Sequence, residues 1–115
     1  MSPLECAEEQ FAAYNARDLK RFLACFADEV RSFRLPDMTP LLSGKAAYGE
    51  FYTTQRFNHA GLRAELVSRI VMGNTVIDHE LIHGLSDAPV ETAIMFVVEQ
   101  GLIKTVFSIP FKSAS

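Results

Sequence analysis

No apolar run among the 115 residues approaches the ~18 needed to cross a bilayer as a helix. The first residues, Met1-Ser2-Pro3-Leu4-Glu5, lack a basic start and an apolar signal core, so the expected location is cytoplasmic. There is no basic run and no interleaving of aromatic with basic residues, and the formal net charge is -3. Both features argue against a nucleic-acid partner or an anionic membrane surface. Cysteine occurs only at Cys6 and Cys25, without CxxC spacing. In a reducing compartment these read as buried thiols rather than a disulfide frame. No Gly-rich phosphate loop, GxSxG elbow or Cys/His nucleophile pair occurs. No cofactor is expected. No low-complexity linker or internal repeat divides the chain, so residues 1–115 are expected to form one domain.

What is present is core material. Hydrophobic residues make up 49% of the chain, including nine Phe and three Tyr. A chain of this length buries roughly 65% of its unfolded surface, enough for an independent core. Leu4, Ala7, Phe11 and Tyr14 recur at helical spacing, which predicts a helix over 4–15. Asp18 suits an N-cap, because its carboxylate accepts from free backbone N–H groups. Leu19, Phe22, Leu23 and Phe26 then form the stripe of a second helix. Val30 to Leu35 reads as a short strand, and 38–43 as a loop. Ser43-Gly44 opens a third helix carrying Ala47, Tyr48, Phe51 and Tyr52.

After Gly61 the period changes to two. Leu62, Ala64, Leu66, Ser68, Ile70 and Met72 alternate with Arg63, Glu65, Val67, Arg69 and Val71, the pattern of a half-buried strand. Gly73-Asn74 is a hairpin signal, since both residues tolerate positive φ. Strands follow over 75–83, 90–99 and 102–109, broken by Ser86-Asp87-Ala88-Pro89 and Gln100-Gly101. Three helices with one early strand, then a four-strand antiparallel meander, make an α+β fold.

This order resembles the nuclear transport factor 2-like superfamily of cone-shaped α+β domains. Tyr14-Asn15-Ala16-Arg17-Asp18-Leu19 and Phe26-Ala27-Asp28-Glu29-Val30 carry the resemblance, supported by Gly73-Asn74-Thr75-Val76 and Gly101-Leu102-Ile103. The chain is most similar to the SnoaL-like branch, which lies near ketosteroid isomerase and the polyketide cyclases. The resemblance implies three N-terminal helices on a curved antiparallel sheet, a conical cavity for a small apolar molecule, and a homodimer through the sheet. The chemistries of characterised members do not carry over. The isomerase's oxyanion tyrosine falls on Gln10, its base aspartate on Arg34 and its second acid near Ile94 or Met95. The catalytic positions of limonene epoxide hydrolase, another member of the superfamily, fall on about Glu80, Ile82 and Ser108.

The most informative run is Asp78-His79-Glu80, because a strand sends alternate residues to opposite faces. Composition favours Thr75, Ile77, His79, Leu81 and His83 as the inward set. The family register favours Val76, Asp78, Glu80 and Ile82, and we follow it. Asp78 and Glu80 then enter the cavity, about 7 Å apart, and push each other's pKa values apart as an acid/base pair. Val30, Ser32 and Arg34 fall on the cavity side of the early strand, so Arg34 is the expected partner for buried negative charge. The competing reading is an ion pair that only organises the cavity mouth. His79 is the other candidate base, although a packed or interface histidine fits it as well. His79 and His83 stand about 13 Å apart on a strand, too far to share a metal. Tyr14, Ser32, Phe51, Tyr52, Phe96 and Ser108 are the expected pocket residues. Two function classes follow: a cofactor-free isomerase, cyclase or dehydratase using carboxylate chemistry, or a binding or dimerisation module without catalysis.

Overall fold

The computed structural model describes residues 1–110. Helix α1 spans Pro3–Ala16 and opens with a capping box. The Glu5 N–H donates to Ser2 Oγ at 3.1 Å, and the Ser2 N–H donates to Glu5 Oε1 at 2.8 Å. Its buried face carries Cys6, Ala7, Gln10, Ala13 and Tyr14. The end of α1 is tied down by Asn15 and Arg17. Asn15 brackets Ala64 as a neighbouring strand would, accepting from its N–H at 2.7 Å and donating to its carbonyl at 3.0 Å. Arg17, in left-handed conformation, donates to the carbonyls of His59, Ala60 and Leu62. This explains why the Tyr14–Asp18 run is informative: its polar groups aim Tyr14 inward.

Asp18 caps α2 (Leu19–Leu23), accepting from the Arg21 N–H at 3.1 Å. The second helix is shorter than its apolar stripe predicts. Phe26 belongs to strand β1 (Phe26–Arg34), where it pairs with Ile103 in parallel. Residues expected to be loop form strand β2 (Thr39–Ser43), antiparallel to β1. Pro40 hid that strand, since proline cannot donate to a ladder. The sheet edge, where β2 lies, is the place that tolerates it. Helix α3 (Lys45–Gln55) follows.

Strands β3 (Arg63–Met72), β4 (Thr75–His83), β5 (Val90–Glu99) and β6 (Leu102–Pro110) form the meander. The six strands lie in the order β2-β1-β6-β5-β4-β3. The sheet is mixed rather than purely antiparallel, because β1 lies parallel to β6. Gly84 permits the tight passage after β4. Its φ is +93°, and a Cβ there would stand 2.3 Å from the Gly61 carbonyl carbon, so no larger residue fits.

The register places side chains in rows across the inner face. One row runs Arg34, Ser108, Ile94, Asp78, Arg69; the row beside it toward the β1 C-terminal end runs Pro110, Thr92, Glu80, Leu66. A bulge in β3 between Leu66 and Ser68 makes this possible. The extra residue inverts the alternation, so Arg69 shares a face with Leu66 instead of opposing it. The strict two-residue period expected for 62–72 therefore fails at Val67. Helix α1 packs on β3, β4, β5 and β6, and α3 on β1 and β2. Between helices and sheet lies an aromatic core in which Phe22 meets Phe26, Tyr52 and Phe57 with ring centroids 4.7–5.6 Å apart.

Candidate active-site cavity

A cavity of about 540 Å³ opens between the inner sheet face and the helices. Tyr14, Ser32, Phe51, Tyr52, Phe96, Ser108, Arg34 and Glu80 all line it. Asp78 and His79 do not. Alternation along β4 is sharp: Val76, Asp78, Glu80 and Ile82 are buried, and the residues between them are half-buried on the other face. His79 therefore points away from the cavity and pairs with Glu91 at 2.6 Å. His83 does the same with Glu65 at 2.9 Å. Among the described residues, no three His, Cys, Asp or Glu side chains converge as metal ligands. Cys6 and Cys25 are free and buried.

The expectation that Arg34 partners the buried negative charge is not met at Asp78, because of the strand order. Arg34 stands on β1 and Asp78 on β4, three strand spacings or about 14 Å along one row. That is beyond the reach of the two side chains. Asp78 is instead held by Arg69, its direct neighbour in the register. Arg69 Nε and Nη2 donate to its two carboxylate oxygens at 2.6 and 2.9 Å. Asp78 is fully buried, so this paired geometry supplies both oxygens with donors that water cannot provide. Asp78 is thus sealed beneath the wall rather than exposed on it.

Glu80, two residues further on, reaches the cavity and is 4% exposed. Burial pushes its carboxyl pKa up to about 8, the neighbouring Asp78 carboxylate adds to the rise, and Arg69 opposes it. Asp78 lies beneath the cavity wall and Glu80 is part of it. Burial also raises the Tyr14 and Tyr48 hydroxyls and pushes Tyr52 up to about 12, so all three remain hydrogen-bond donors at neutral pH. Charge on Arg56 opposes the rise at Tyr14 and Tyr52, and Glu80 reinforces it, which puts these four groups in one electrostatic neighbourhood.

Two arginines of the site were not singled out from the sequence. Arg69 sat on the wrong side of an alternation that the bulge inverts. Arg56 follows α3 and lines the cavity with its guanidinium 4.8 Å from the centre of the Phe51 ring. Its only signal in the sequence is its place one residue beyond the helix.

A family model described as a SnoaL-like domain matches residues 7–106. No curated protein matches the sequence. Among solved structures, the chain is similar to a protein from Kribbella flavida DSM 17836 described as a candidate ketosteroid isomerase. The two share 19% identity and a TM-score of 0.81 over 96% of this chain and 78% of that one. It is also similar to the Δ5-3-ketosteroid isomerase of Mycobacterium sp., at 20% identity and a TM-score of 0.78, covering 94% and 92%. A computationally designed 17-OHP binder aligns at 19% identity and a TM-score of 0.80, covering 98% and 93%. At these identities the likeness is one of fold.

Proposed function

The chain belongs to the SnoaL-like domain family, and from that premise we propose that it is a small-molecule pocket protein that moves a proton on a compact, largely apolar ligand, with Glu80 as the acid/base group. One observation carries this: a protonatable carboxyl, buried yet lining a 540 Å³ cavity walled largely by apolar and aromatic side chains. A carboxyl that titrates near neutral pH can give a proton to a carbonyl or departing hydroxyl and take one back within a cycle. Isomerisation, cyclisation and dehydration all need this and no cofactor. Tyr14 is the hydrogen-bond donor for a developing oxyanion, Arg34 and Ser108 stand at the far side of the floor, and Asp78 with Arg69 tunes Glu80 from behind. No role falls to His79.

A panel of unsaturated and hydroxylated apolar ketones tests the proposal. Glu80→Gln is expected to lower turnover about 10²–10⁴-fold while binding of the neutral dye Nile red persists. Unchanged turnover in that variant would remove Glu80 from the chemistry. A binding-only module is the second reading, favoured by the fact that just one carboxyl among the described residues lines the cavity. Wild-type protein that binds the dye but turns over no member of the panel would select it.

The expected partner is a second copy through the outer sheet face. There Phe33, Phe107, Met95, Ile77 and Ile70 form an apolar row across five strands, and Ile70 is 52% exposed. Burying such a row removes apolar surface from water. Sedimentation velocity is expected to give a dimer that Ile70→Lys with Ile77→Lys converts to monomer. A wild-type monomer at high micromolar concentration would contradict the contact.

A further inference from the structure

We propose that the cavity's ligand is an anion: an apolar body ending in a single carboxylate, drawn in by the positive charge of Arg34 and Arg56 in the cavity wall and seated on one of these guanidiniums. The inference rests on the cavity being a ligand pocket and adds the chemical class of what enters it.

The charge inside the cavity runs against the charge of the chain. Asp and Glu outnumber Lys and Arg by 14 to 11. Yet Glu80 is the one carboxyl among the lining residues, against two guanidiniums, those of Arg34 and Arg56. Glu80 keeps its proton at neutral pH, held by burial and by the charge of Asp78. The cavity therefore presents positive charge from a chain that is acidic as a whole.

Among the described residues, neither guanidinium has a carboxylate partner. Among the described residues, Arg21 and Arg69 each hold a carboxylate, whereas Arg34 and Arg56 form no ion pair. Arg56 is oriented by stacking over Phe51 and by one N–H donated to the Gln55 carbonyl at 2.9 Å, neither of which supplies a counter-charge. A guanidinium offers paired N–H donors matched to the two oxygens of a carboxylate, and the partly apolar surroundings strengthen that pairing. A neutral apolar molecule would fill the same walls and gain nothing from the half-buried Arg56 charge or from Arg34 at the exposed end of β1. The remaining walls, Tyr14, Phe51, Tyr52 and Phe96, suit an apolar body rather than a second charge.

Decanoate and 1-decanol, which differ only in the terminal group, are the probes. Each displaces Nile red from the wild-type protein at pH 7. Decanoate is expected to bind about tenfold more tightly, and its advantage is expected to shrink as salt rises from low to physiological concentration. Arg34→Gln with Arg56→Gln is expected to erase the advantage while Nile red binding and the melting temperature stay near wild type. Decanol binding as well as decanoate to wild-type protein would overturn the inference and leave the pocket reading standing. So would an advantage that survives in the double variant or does not respond to salt. Failure of Nile red itself to bind would overturn both. Should the double variant misfold, the wild-type comparison and its salt dependence decide the matter alone.

Discussion

Replacing Glu80 with Gln is expected to make the protein more stable at pH 9, by an amount on the order of 3–5 kcal/mol, and to change it little at pH 5. The carboxyl titrates at about 8 in the folded protein against an ordinary value of 4.5. Its pKa is raised on folding, so between these values the folded state binds the extra proton. Stability from this group is fully present below pH 4.5 and is lost as pH rises through 8. Each unit of difference is worth about 1.4 kcal/mol, which sets the upper end of the range. Glutamine keeps the shape, carries no charge and does not titrate. Urea denaturation of both proteins at pH 5, 7 and 9 measures the effect. Two parallel stability curves would remove the premise that Glu80 is a near-neutral acid, and with it the physical basis for proton transfer in this cavity.

Loss of Arg69 is the other large effect. Arg69→Ala is expected to cost about 3–5 kcal/mol, because it leaves the Asp78 carboxylate buried without its partner. The cost reflects the orphaned charge more than the worth of the pair. Arg69→Met combined with Asp78→Leu is therefore expected to recover most of the loss. The comparison also separates structure from site. Both variants remove the charge that opposes the rise at Glu80, but only the single one strands a carboxylate. If Arg69→Ala unfolds at the same denaturant concentration as wild type, Asp78 has found other donors and the pair is not what holds this floor together.

Much of the cavity was legible before the fold was known. Two-residue alternation along 75–83 forces Asp78 and Glu80 to one face and His79 to the other. The family register pointed to the buried set that the exposures of β4 show. The aromatic residues of α1 and α3 could be assigned to the interior from helical spacing. Three things were not legible. Phe26 has the spacing of a helical residue, yet its backbone pairs with Ile103, 77 residues away by number. Pro40 reads as a loop signal, yet it sits in an edge strand where a missing donor costs little. Arg69 reads as solvent-facing, yet one inserted residue turns it inward.

These cases divide along one physical line. The sequence by itself determined the elements with strong local periods, the hairpin at Gly73-Asn74 and the parity of residues along β4. All depend on contacts between residues close in the chain, so composition and spacing record them. The tertiary structure alone decided which strands lie side by side and where the parity of β3 breaks. Strand order is a pairing of distant segments, and a bulge adds one residue without any marker in composition. Together they place Arg34 three strands away from Asp78 and bring Arg69 to it. Asp78 is thereby closed off beneath the wall, and Glu80 is left as the carboxyl that faces the cavity.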